Sequence, residues 1–148
     1  MLTELPLASQ TSLVAAGLFF LVGLLTGVWK FHHIHHRAEA TAPTYVDIAH
    51  RASLLYAFAC LLIERFVGLS QWSDSVELAA VMAQIVFFAA AVASYVIHGL
   101  LQDTDNQLKK PHRLGTMVVP PLMMTAFMGA LITGEVGGFV VLLMGCWA

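Results

Sequence analysis

Charged residues are scarce: 11% of the 148 residues, where a soluble domain carries about 25%. With 59% of the chain hydrophobic, that shortage excludes an ordinary water-soluble fold, because lipid must cover what charge cannot. Basic residues show no excess, and a formal net charge of −2 excludes the electrostatic footprint of a nucleic-acid binder. Cysteine is nearly absent. Cys60 and Cys146 each sit in an apolar run, which argues against a disulfide scaffold and for small buried hydrophobes. Met1 to Gln10 lack a positive n-region, so no secretory signal is expected. Internal repeats, low-complexity stretches, phosphate-binding loops, dinucleotide fingerprints and serine–histidine–acid constellations are also missing.

What the chain does have is long apolar runs. A bilayer core about 30 Å thick needs about 20 mostly apolar residues to cross it. Four segments qualify: residues 11–29, 47–69, 76–101 and 117–147. The expected fold is therefore all-α, a single membrane domain over residues 1–148 built as an antiparallel four-helix bundle. Pro120 and Pro121 sit near the start of the fourth helix, where missing amide donors cost least. Lys30, Arg37 and Arg51 flank the first loop, and Lys109, Lys110 and Arg113 lie in the third, against Arg65 on the opposite side. This asymmetry predicts loops one and three cytoplasmic and both termini outside, in a multi-pass protein whose expected location is a bacterial inner membrane.

Ionisable and polar residues within such runs mark function or face the protein interior. On the third helix Glu77, Gln84, Phe88, Ala91, Tyr95, His98 and Gln102 recur at steps of three, four or seven and share a face. That stripe lines either a cavity or a hydrogen-bonded helix contact. On the second helix Asp47, His50, Leu54, Ala57, Leu61 and Glu64 form another stripe. Asp47 precedes His50 by three residues, so its carboxylate is expected to orient the imidazole and free one ring nitrogen for a metal or a proton. The run His32-His33-Ile34-His35-His36 reads as a polar loop segment at the membrane surface with incidental metal affinity. Glu135, among glycines of the fourth helix, either caps a bend or faces the bundle.

The chain resembles the small four-helix membrane isomerases, styrene oxide isomerase and its relative hydroxylaminobenzene mutase. The resemblance rests on the first-helix run Gly17 to Gly27, on Ala49-His50 opening the second helix, and on Tyr95 at that family's histidine-to-tyrosine separation. Chain length and helix count also agree. It implies that His50, with Asp47 beside it, binds haem b between subunits of a homotrimer, with ferric iron as the metal. It implies that Tyr95 lines the substrate site and that the reaction is a 1,2-shift turning a small apolar aryl epoxide into an aldehyde. Where the family has asparagine six residues after the histidine, this chain has Tyr56, which implies a reshaped pocket. Phe58, Gln84, Phe87, Phe88, Ala91 and His98 are the expected lining. An arylhydroxylamine rearrangement is the closest alternative. An electron-transfer haem subunit, with His98 or a loop histidine as second ligand, and a haem-free structural or transport subunit are the other two.

Overall fold

The computed structural model describes residues 4–148. Its helices are α1 (Leu7–His36), α2 (Thr44–Val67), α3 (Asp74–Leu101) and α4 (Pro121–Gly145). Each is long and apolar enough to cross a membrane. Two short strands, β1 (Arg113–Leu114) and β2 (Met117–Val118), form an antiparallel hairpin ahead of α4. Gly115 turns that hairpin with φ +60°, a left-handed value that glycine adopts freely.

The helix boundaries follow local chemistry. Proline occupies the N-cap position of α1, α2 and α4, where its fixed φ and missing amide are tolerated. The α3 helix begins after Ser73, carries Asp74 and Glu77 in its first turn, and closes on Gln102 in the left-handed region. Two boundaries depart from expectation. The histidine run is the last two turns of α1 rather than a loop, because neither glycine nor proline interrupts residues 30–36. At about 1.5 Å per residue, this 30-residue helix spans about 45 Å and outruns a bilayer core. The fourth helix starts later than expected: residues 117–118 are in β2, and the helix begins only at Pro121.

The packing is antiparallel between sequence neighbours. His50 meets Gly23 and Gly27 of α1, Tyr56 meets Phe88 of α3, and Phe87 meets Gly134 of α4. Missing β-carbons set the closest approaches. A Cβ on Gly138 would lie 2.7 Å from the Ala80 carbonyl oxygen, and one on Gly99 would lie 2.8 Å from the Trp29 ring. The core runs through Ala15, Phe19, Ala57, Cys60, Ile63, Val81, Phe88 and Val92, with Leu142 from α4. Cys60 is fully buried and free, as a small core hydrophobe should be. Outward faces are apolar too: Leu18, Leu25, Leu55, Phe58, Leu100, Leu122 and Val136 are all exposed. α4 buries only Gly138, Leu142 and Gly145, so it lies at the periphery against α3.

The loops after α1 and α3 lie at the same end. Arg37 donates to Gln102, Thr44 donates to Asp105, and the Gln107 amide donates to the Tyr45 hydroxyl.

Candidate functional site

Three groups of polar side chains stand out, and they lie in different places. The first is at the α1–α2 seam. His50 Nδ1 lies 2.8 Å from the Gly23 carbonyl oxygen. A carbonyl only accepts, so Nδ1 carries the proton and, in the neutral ring, Nε2 carries the lone pair. Gly27 makes room for the ring, since a Cβ there would lie 2.9 Å from Cε1 and 3.1 Å from Nδ1. Glycine thus serves twice on α1, four residues apart: one leaves its carbonyl in reach and one leaves space. His50 is half-buried at this seam.

Asp47 does not orient His50, contrary to the expectation from their spacing. Its Oδ1 lies 2.6 Å from Lys30 Nζ and its Oδ2 lies 2.9 Å from Arg51. Lys30 comes from α1 and Arg51 from the next turn of α2, so both carboxylate oxygens are held by cations. A backbone carbonyl takes the orienting role. Asp47 instead ties the ends of α1 and α2 together.

The second group is a cleft of about 350 Å³ between α2, α3 and α4, lined by Ala59, Leu62, Ile63, Gln84, Phe88, Glu135, Val136, Phe139 and Val140. Gln84 is 2% exposed and donates to the Ala80 carbonyl at 3.1 Å. Glu135 Oε1 is buried and has no hydrogen-bond partner among the described residues. Tyr56 stacks on Phe88 with centroids 4.2 Å apart, and Phe66 meets Phe139 edge-on at 5.0 Å. The Tyr56 and Tyr95 hydroxyls lie within electrostatic reach of the Glu135 carboxyl.

The third group is at the loop end. His98 Nδ1 lies 2.7 Å from Asp103 Oδ1, both side chains being nearly fully buried. The Gly115 amide donates to the other Asp103 oxygen, which docks the hairpin on α3. Burial pushes the Asp103 carboxyl up, but the His98 hydrogen bond, the Gly115 amide and the His98 charge together hold it below the usual carboxylate range. Tyr45 lies against His98 at 5.0 Å and against Tyr95 at 6.0 Å.

Of the expected lining, only Gln84 and Phe88 reach the cleft. Phe58 is 64% exposed and faces outward beside Leu13, Ala16, Gly17 and Phe20. Phe87 packs on Gly134 and Phe127. Ala91 is buried in the α3 packing, and His98 belongs to the Asp103 pair. Tyr56 and Tyr95 approach α3 and Tyr45 respectively, whereas His50 faces α1, so one chain does not join them in a single pocket. Gln102 has left the helical stripe as the cap of α3.

The histidine rings touch one another, His32 and His36 with centroids 4.2 Å apart and His35 and His36 5.1 Å apart. His33 lies against Trp29, His35 stacks on Phe31, and His36 Nδ1 donates to the His32 carbonyl. Among the described residues no group of three His, Cys, Asp or Glu side chains is placed to hold a bare metal ion. Sequence reasoning missed Asp103 as a partner of His98, and it singled out Glu135 without its neighbours. Asp103 looked like an ordinary loop acid, and Glu135 had no visible partner because its neighbours come from α2 and α3. Comparison with protein-family models, with curated proteins and with solved structures gives no match.

Proposed function

We propose that the chain is a multi-pass integral protein of a bacterial inner membrane that works as a haem b-dependent isomerase, rearranging a small apolar aryl epoxide to an aldehyde. The observation that carries this reading is the His50 ring, whose proton is committed to the Gly23 carbonyl. That leaves the Nε2 lone pair of the neutral ring as the one atom of His50 that could hold haem iron. One fixed imidazole, with no group of three metal ligands among the described residues, suits a porphyrin-held iron better than a bare ion. The half-buried seam also supports a group held between copies, as in a homotrimer, rather than inside one bundle.

Ferric haem, when bound, supplies a Lewis acid that polarises the epoxide oxygen. The chain's residues do the rest. Gly23 and Gly27 hold the His50 ring in one orientation. Tyr95 makes no hydrogen bond among the described residues, so its hydroxyl is free to donate to oxygen on a substrate. Because Tyr95, Tyr56 and Phe88 do not meet His50 within one chain, they would have to reach the haem site from a neighbouring copy. There the apolar surface around Tyr56 and Phe88 would exclude the water that captures an opening cation.

The test is an absorbance spectrum of detergent-purified protein, followed by aldehyde formation from styrene oxide at normalised haem content. A Soret band lost in His50→Ala, with helicity retained, is the expected result. An unchanged band in that variant overturns the assignment. Haem binding without turnover of epoxide or arylhydroxylamine, with six-coordinate low-spin spectra, points to electron transfer instead. A colourless protein removes haem altogether.

A further inference from the structure

The Glu135 cleft has an unusual inventory. Its apolar lining comes from Ala59, Leu62, Ile63, Phe88, Val136, Phe139 and Val140, and its polar groups are Gln84 and Glu135. One N–H of the Gln84 amide donates to the Ala80 carbonyl, while its side-chain oxygen takes no hydrogen bond among the described residues. Glu135 Oε1 is buried and likewise without a partner. The Tyr56 hydroxyl is within electrostatic reach but makes no hydrogen bond to the carboxyl, and its ring is held flat on Phe88. The lining therefore holds two unpaired acceptor oxygens, on Glu135 and on Gln84. No Lys, Arg or His lines it.

A carboxyl in apolar surroundings stays ionised only beside a counter-charge, and an orphaned acceptor needs a donor. A cationic donor entering the cleft would supply both. We propose that this cleft binds a small lipophilic primary amine as its ammonium ion, seated between Glu135, Gln84 and the rings of Phe88 and Phe139. An ammonium brings positive charge and three N–H donors, which matches a carboxylate and an amide oxygen. Phe139 in the lining adds an aromatic ring, which attracts a cation. A volume of about 350 Å³ accommodates a single-ring amine, given that a cavity of about 150 Å³ already holds benzene. Selectivity over neutral hydrocarbons follows, because a hydrocarbon leaves both acceptors unpaired. The site needs neither iron nor His50 and stands apart from the haem reading.

The experiment is binding of benzylamine to the detergent-solubilised full chain by equilibrium dialysis, with toluene as the neutral probe of equal ring size. Benzylamine is expected to bind at least about ten-fold more tightly than toluene, and Glu135→Gln is expected to remove that preference. Ala59→Phe, which fills the cleft while leaving the carboxyl in place, is expected to block both probes. Circular dichroism and gel filtration establish that each variant is folded, so Ala59→Phe decides the matter if Glu135→Gln is not. His50→Ala is expected to keep benzylamine binding even where it loses the Soret band. Equal binding of benzylamine by the parent and a folded Glu135→Gln variant overturns the proposal. So does a parent that binds toluene as tightly as benzylamine, or binds neither.

Discussion

Gly27→Ala separates the stability of the bundle from the orientation of His50. The new methyl would sit 2.9 Å from His50 Cε1 and 3.1 Å from Nδ1. The obstructing atoms belong to a ring on two rotatable bonds, so the side chain yields before the backbone does. A ring turned away loses its 2.8 Å bond to the Gly23 carbonyl. That loss costs about 0.5–1.5 kcal/mol in general, and about 0.6 kcal/mol for the average interhelical bond measured in a membrane. Replacing a helical glycine by alanine returns about 0.8–1.0 kcal/mol. The two effects nearly cancel, so thermal unfolding should move by only a few degrees. Ligand orientation has no such compensation. Losing the group that fixes a metal-bound histidine costs about 10–100-fold in affinity. On the haem proposal, titrating hemin into apoprotein and following the Soret band should show a right-shifted curve for Gly27→Ala against a melting curve moved by only a few degrees. Identical hemin affinity in the two proteins would refute the argument that α1 orients this ring. A large fall in melting temperature would show that the backbone, not the ring, gives way.

Tyr95→Phe should keep haem and fold but lower aryl-epoxide turnover about ten-fold or more, since a donor to a developing oxyanion is worth about 2.7–4 kcal/mol; Tyr56→Asn should keep haem and change substrate preference, read as relative aldehyde formation from two epoxides. Gly138→Ala pushes a methyl to 2.7 Å from the Ala80 carbonyl oxygen, which is backbone and cannot rotate aside. It should force α4 off α3 and destabilise by about 1–3 kcal/mol, visible as a lower melting temperature. Folding depresses the Asp103 carboxyl, so its contribution is complete above the ordinary carboxylate range and is lost as pH falls through the lower folded value. Asp103→Asn should therefore melt earlier than the parent at pH 7, by about 1.5–3 kcal/mol for the charged hydrogen bonds. The gap should close in strongly acidic buffer, and a gap independent of pH would contradict the assignment.

Helix count, all-helical class and the buried side of α3 were legible in the amino-acid order. A helix must turn one face inward every 3.6 residues, and Glu77, Gln84, Phe88, Ala91 and His98 keep that spacing and are all buried. Proline positions likewise announced the start of α4, though not the hairpin that delays it. Periodicity names a face without naming its neighbour, and that was left to the tertiary structure. His50 and Tyr56 lie on the same helix, yet one faces Gly23 and Gly27 of α1 and the other stacks on Phe88 of α3. Asp47 sits one turn from His50 but is claimed by Lys30, a residue 17 positions away along the chain. Glu135 became part of a site only because Gly134 and Gly138 let α4 settle against Phe87 and Gln84. Glycine contacts fix the rotation of each helix against the next, and that rotation decides which side chains share a cleft.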